Sequence, residues 1–360
     1  MHIDTGSLPA YARGCAVLGS GGGGPVTIGR AAALQALSDH GPVRVVQPAD
    51  LDPDLLVMPV GSAGSTAVMS ERVGGADEPL HLRQKIEQLY GTPVGAVMAS
   101  EIGGANGCLA VAWAARLGLP IVDADGMSRA FPRMDQTVMQ LRGISPTPAV
   151  LCDGRGRTVV IDHVDGRWLE RLVRAALEPF GGQVATSEYL MRGHQVAAAT
   201  ALGSVTRALR LGADLPAPLV SGKIAETGSI VIEGLGADLG RLVRIEAGTE
   251  FLAVLEDGVP LAVVPDVIAL LDARTGEVVD AEHVRYGLRV DVVRVPCDPI
   301  WHTEEGLRMA GPEAFGLTGL TAPPTLPPPQ TPSAPPASPE DGAPVPSEEP
   351  GQATHREVTR

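Results

Sequence analysis

Residues able to do chemistry gather in three short stretches of this chain. Gly-Ser-Gly-Gly-Gly-Gly-Pro runs from 19 to 25, Glu-Ile-Gly-Gly-Ala-Asn from 101 to 106, and Asp-Ala-Asp-Gly-Met from 123 to 127. Glu101, Asp123 and Asp125 are the candidate acids and bases. Two nearby carboxylates can push their pKa values apart into acid and base roles, or bind a metal. Gly21, Gly22, Gly23 and Gly24 are candidate ligand-binding positions, because glycine lets the backbone turn sharply and approach a ligand closely. A helix opening at Pro25 would add free N–H donors and the positive end of its dipole. Asn106 suits a ligand carbonyl or amide.

Each residue also has a plainer role open to it. Glu101 and Asn106 could cap the helix beginning near Ala105, and the Asp-x-Asp pair could belong to an Asp-Gly turn. His194 lies at an expected helix start in Arg-Gly-His-Gln-Val, where it could face the cleft or merely sit on the surface. His163 reads as structural, and His283 and His302 lie in loops without an evident partner. No His-Glu-x-x-His or other histidine cluster supports a metal, so none is assigned and the cofactor is left open. Gly19, Gly21 and Gly24 formally satisfy G-x-G-x-x-G, a dinucleotide-binding turn when it links a strand to a helix. The ribose-binding acid expected at the end of the next strand fits poorly, since Val43–Gln47 runs into Pro48 and Asp50 comes only three residues after Gln47. The sole Gly-Lys pair lacks the P-loop spacing, and no G-x-S-x-G elbow stands at a strand-to-helix junction.

These stretches need elements to hold them. Short apolar runs at Cys15–Leu18, Val43–Gln47, Leu55–Val60, Val94–Ala99 and Leu119–Val122 read as strands. Helical spacing is evident in Pro25–Ser38, Leu80–Tyr90, Ala105–Leu117, Trp168–Leu177 and His194–Leu211. The alternation predicts an α/β domain over 1–217, with a mainly parallel sheet and helices on both faces. All three stretches would then leave one edge of the sheet, where open α/β sheets bind ligands. Over 218–296 the pattern becomes short β-rich runs with turns such as Asp257-Gly258, predicting a small barrel or sandwich. Residues 297–320 would pack back on the first domain. Twelve of the 32 prolines, and no aromatic residue, fall in 321–360, which reads as a disordered tail.

The chain has 360 residues, 44% of them hydrophobic and 19% charged, enough for a folded two-domain protein. Its formal charge of -14 argues against nucleic acid as a partner. No apolar stretch is long enough to span a membrane, and the first residues lack a signal-peptide pattern. The four scattered cysteines form no Cys-x-x-Cys pair, and Cys15 and Cys108 read as buried small hydrophobes. A reduced, cytoplasmic protein is the expectation.

Taken together and in order, the motifs resemble one family. They are the glycine loop at 19–25, Met-Pro-Val-Gly at 58–61, Glu-Ile-Gly-Gly-Ala-Asn at 101–106 and Val-Asp-Ala-Asp-Gly-Met-Ser-Arg-Ala-Phe-Pro at 122–132. Val-Pro-Asp at 264–266, Tyr-Gly-Leu-Arg-Val at 286–290 and Gly-Pro-Glu-Ala-Phe-Gly at 311–316 complete the set. The chain from about Arg13 to Leu317 is similar to the S-methyl-thiohydantoin desulfurase-like proteins, which often accompany hydantoinase-type proteins. That resemblance implies a three-layer α/β/α sandwich joined to a β-barrel-like domain. It also implies attack on a thiohydantoin-like five-membered ring with loss of its sulfur substituent, and the expected activity is that of a hydrolase-like enzyme on a small cyclic amide, imide or thiohydantoin. A hydantoinase-type partner protein, a non-catalytic role beside it, a dinucleotide-dependent activity and self-association stay open at this point. Where family members often carry Asn-Glu, this chain has Thr249-Glu250.

Overall fold

The computed structural model describes residues 1–72 and 75–321, so all but the first residue of the expected tail lies outside them. Two β-sheets carry the fold. In the first, Val43–Val46, Ile121–Asp125, Val94–Ala99 and Leu56–Gly64 lie side by side in that order and all run parallel. Antiparallel strands extend both flanks: His2–Ile3 on one side, and Gln183–Ser187, Ala149–Cys152 and Thr158–Ile161 on the other. The sheet is therefore mixed, parallel at its centre.

The two-residue period of a strand sends alternate side chains to opposite faces. Val45, Met58, Val97 and Ile121 enter one apolar core, while Val46, Val57, Met98 and Val122 enter another. The first core is covered by helices Leu8–Leu18, Val26–His40 and Ala105–Leu117. The second is covered by Val138–Leu141 and Gly193–Ala199. Eleven of the 13 residues of Ala105–Leu117 are buried, which explains a sequence apolar on all sides.

Cys15–Leu18 is not a strand. It is the last turn of the helix Leu8–Leu18, whose buried residues Leu8, Tyr11, Ala12, Cys15 and Leu18 follow helical spacing. Four apolar residues taken alone carry no period, so the longer pattern decides. This helix crosses Ser204–Ala213 at glycines: a Cβ on Gly14 would stand 1.8 Å from the Ala208 carbonyl oxygen, and one on Gly212 1.7 Å from that of Ala10. The single helix expected over His194–Leu211 is two, Gly193–Ala199 and Ser204–Ala213. Between them Ala201–Leu202 pairs with Ile121–Asp125, and Gly203 turns back at φ 72°.

The second sheet is antiparallel throughout. Its order is Val259–Val263, Phe251–Glu256, Leu242–Ala247, Ile230–Gly234, Val220–Glu226, Arg289–Val295, Val267–Asp272 and Val278–Val279. It curls around its own core, with Ile224, Ile232, Val254, Ile268 and Val292 inside. It does not close into a barrel, because the terminal strands Val259–Val263 and Val278–Val279 do not pair. Part of the seam is bridged by the glycine loop. The Phe251 N–H donates to the Ser20 carbonyl (2.7 Å), and Ser20 Oγ donates to the Ile268 carbonyl (2.9 Å). Phe251 and Ile268 belong to strands that are not neighbours in the sheet.

Among the described residues no helix is long and apolar enough to cross a membrane.

Candidate functional site

The glycine loop leaves a helix rather than a strand, and this removes the structural context that a dinucleotide-binding turn requires. Its glycines are nonetheless needed. Ser20, Gly21, Gly23 and Gly24 all have positive φ, from 52° to 88°. A Cβ on Gly23 would stand 2.9 Å from Glu101 Oε1, and one on Gly22 2.6 Å from Glu250 Oε1. Bare backbone thus passes between two carboxylates. The loop is fixed from both sides, since Ala105 N–H donates to the Gly23 carbonyl (2.9 Å) and Ala281 N–H to the Gly21 carbonyl (2.9 Å).

These groups line a cleft of about 380 Å³ together with Ser62, Asn106, Phe131 and Arg174. Gly21 to Gly24, Glu101 and Asn106 stand there as the sequence suggests. Neither Glu101 nor Asn106 caps the adjoining helix, whose N-cap is Gly104 without a side-chain cap bond. Asn106 instead donates from Nδ2 to Glu101 Oε2 (2.9 Å) and accepts at Oδ1 from the Ser62 N–H (2.9 Å). Glu101 Oε1 is buried and finds no partner among the described residues. Burial pushes the Glu101 pKa up to about 8; the Asn106 bond opposes the shift, and nearby Glu250 and Asp125 add to it.

Glu250, which the motif comparison records only beside a changed neighbour, is the second acid of the cleft. It is 4% exposed, and burial raises its pKa, against the Thr249 hydroxyl bonded to Oε2 (2.6 Å) and the Arg129 cation. Arg129 is itself fully buried. Its Nε donates to the Ala130 carbonyl and Nη1 to the carbonyls of Pro265 and Asp266. Its position in the Met-Ser-Arg-Ala-Phe-Pro motif was the available signal, but only the fold brings it near Glu250.

Asp123 and Asp125 are not part of this cleft. They share one face of their strand, as an i, i+2 pair must, yet that face meets the start of Ser204–Ala213. Asp123 accepts from Thr206 N–H (3.0 Å), Thr206 Oγ1 (2.5 Å) and Gln47 Nε2 (3.1 Å). A helix start offers free N–H groups and a positive dipole end, and a carboxylate answers both. Asp125 accepts from the N–H groups of Ile102 (2.9 Å), Met127 (3.0 Å) and Ser128 (2.9 Å), and from Ser204 Oγ. Burial lifts its pKa to about 6 against those bonds. It ties the segment after Glu101 to the segment before Arg129, so it positions the acids without touching the cleft. His194 is exposed, with Nδ1 2.9 Å from the Pro53 carbonyl oxygen, and is absent from the cleft wall.

His302 does have a partner. Asp266, Cys297 and His302 offer ligand atoms within 4.8 Å of one another. However, Arg294 Nε already donates to Asp266 Oδ2 (2.7 Å), and the Cys297 N–H donates to Oδ1 (3.0 Å). His302 Nε2 lies 3.1 Å from that same oxygen. With the acid neutralised by an arginine, the trio pins the segment around 297–302 to the second sheet and is a poor cage for a cation. All four cysteines are buried and free.

Comparison with known proteins agrees with this fold and its motifs. Residues 7–163 match the S-Me-THD-like N-terminal domain, and 164–225 with 217–324 match the S-Me-THD-like C-terminal domain. A crystal structure of a protein from Chromobacterium violaceum superposes with a TM-score of 0.74 at 23% identity, covering 89% of this chain and 98% of that one. At that identity the likeness concerns the fold. No curated protein matches the chain.

Proposed function

Because this chain belongs to the S-Me-THD-like family, we propose that it is a hydrolase removing the sulfur substituent from a small thiohydantoin-type ring. The observation that carries this reading is the pair of buried acids, Glu101 and Glu250, either side of the bare glycine backbone in one cleft. Two acids in a desolvated site do not ionise independently, which suits one to hold a proton while the other accepts one.

Glu101 keeps its proton to about pH 8 and is the acid. Glu250, whose pKa burial also raises against the Thr249 bond and the Arg129 cation, takes the role of base in this reading. As the C–O bond forms, water gives a proton to Glu250 and the C=N electron pair moves onto the ring nitrogen. Gly23 and Gly24 N–H groups, free of partners among the described residues, are suited to stabilise that charge. The nitrogen pair then reforms C=N, the C–S bond breaks, and the departing methylthio sulfur takes the proton of Glu101. Methanethiol leaves. The ring retains the hydroxyl as the iminol tautomer of the 2-oxo product, and the proton left on Glu250 restores that of Glu101. One water is consumed.

The test is incubation with S-methyl-thiohydantoin and measurement of methanethiol with a thiol reagent. Glu101→Gln and Glu250→Gln should each lower turnover by about 100-fold or more while the far-UV spectrum is unchanged. Wild-type turnover in both variants would overturn the assignment.

A further inference from the structure

Beyond Glu101 and Glu250, the cleft wall carries two carboxylates that the reaction does not use, Asp280 and Glu282. They flank Ala281, whose N–H donates to the Gly21 carbonyl (2.9 Å), and a Cβ on the next glycine of that loop, Gly22, would meet Glu250. One hydrogen bond and one residue therefore separate this second acidic pair from the reacting groups. Asp280 is half-buried, and burial raises its pKa to about 6, with His283 opposing the rise and Glu282 adding to it. Among the described residues the cleft supplies no free fixed cation to answer these acids. Its two arginines are each committed to an acid that does not line it, Arg133 Nε to Asp135 Oδ1 and Arg174 Nε to Glu170 Oε1, both at 2.8 Å. His283 Nδ1 lies 3.6 Å from Asp280 Oδ2 and is charged only when protonated. Glu282 accepts from the Thr66 hydroxyl, a neutral donor. The cleft thus keeps an uncompensated negative rim, together with a buried oxygen that has no partner, Glu101 Oε1.

We infer that the natural substrate is a ring whose substituent ends in an alkylammonium group, held at Asp280 and Glu282 while the ring stays at Glu101 and Glu250. A carboxylate drawn partly out of water keeps its charge most readily beside an opposite one, and a hydrogen bond from a charged donor is about twice as strong as a neutral one. A bare metal ion answers the same acids less well. Asp280, Glu282 and His283 do not bring three ligand atoms within 4.8 Å of one another; among the described residues only Asp266, Cys297 and His302 do. Acids spread along a wall suit a cation on a flexible arm instead. The cation belongs to the substrate because the segment that carries both acids is hydrogen-bonded to the loop lining the reacting site.

This inference rests on the reading of the cleft as a ring-hydrolysing site, and the experiment separates the two. Three S-methyl-thiohydantoins are compared at about pH 7.5, where Asp280 is ionised and Glu101 keeps its proton: the 5-(4-aminobutyl), 5-pentyl and 5-(3-carboxypropyl) derivatives. Wild-type kcat/KM should be higher by about tenfold or more for the ammonium ring than for the pentyl ring, and lowest for the carboxylate ring. Added salt at about 0.5 M should shrink that advantage by screening. Asp280→Asn should cut it to about twofold, and Glu282→Lys, at an exposed position, should reverse it in favour of the carboxylate ring. Should Asp280→Asn fail to fold, Glu282→Lys decides alone. An ammonium ring turned over no faster than the pentyl ring by the wild type would overturn the inference and leave the cleft assignment standing. So would an ammonium preference that survives the substitutions. Absence of turnover on every ring would overturn the cleft assignment and this inference with it.

Discussion

Glu101 gains its chemical character from an omission, an oxygen that burial leaves without a partner. An acid held protonated to about pH 8 predicts the direction of the pH profile. Turnover should fall as pH rises through about 8 and the proton is lost, and Glu101→Gln should remove that limb together with most of the activity. Asp125 makes the opposite kind of prediction. Asp125→Ala strands three N–H groups and the Ser204 hydroxyl, so it should cost on the order of 2 kcal/mol in urea denaturation. The loss of activity should follow from misplacing Glu101, with more effect on kcat than on KM. Asp123→Asn, remote from the cleft, should leave turnover nearly intact.

The glycine loop and the glycine-to-helix crossing permit a contrast between elements. Gly22→Val should damage activity more than stability, because the new side chain meets the movable end of Glu250. Gly14→Ala should do the reverse: its Cβ meets the backbone of Ser204–Ala213 at 1.8 Å, which no side-chain rotation relieves. The measurements are kcat and the urea midpoint for each variant. Elements were the most legible part of the sequence. Val94–Ala99, Ala105–Leu117 and Val267–Asp272 have the expected bounds, because each is a continuous apolar-rich run set off by a breaker or a charge, Pro93, Gly104 with Gly118, and Asp266. Cys15–Leu18 was illegible because a four-residue run carries no period. The side from which a carboxylate acts was illegible too. Strand geometry places Asp123 and Asp125 on one face, but only the arrival of Ser204–Ala213 from far along the chain makes that face structural. Glu250 was hidden for the same reason, since the acid with which it shares the cleft lies 149 positions earlier in sequence.

The whole molecule stores protons as it folds. Burial holds Asp125, Glu188 and Glu101 to about 6, 7 and 8. In the unfolded chain such groups titrate near about 4. Between roughly pH 4.5 and 8 the folded protein therefore binds more protons than the unfolded chain, and stability falls as pH rises across that window. Asp153 and Asp266, held low, act below it and lose their contribution in acid. Urea midpoints should be higher at pH 5 than at pH 8.5, and the reverse order would contradict the buried-acid assignment.

Ser20 has one further consequence. It ties two strands of the rolled sheet to the loop that passes the acids, so the backbone lining the cleft is also the stitching between the two halves of the fold. Such a site cannot melt privately. Enzymes whose working loop is a loose flap lose activity at denaturant concentrations well short of unfolding, but here the two losses should coincide. Ser20→Ala should move both transitions together to lower urea, without opening an interval in which a folded but inactive form accumulates.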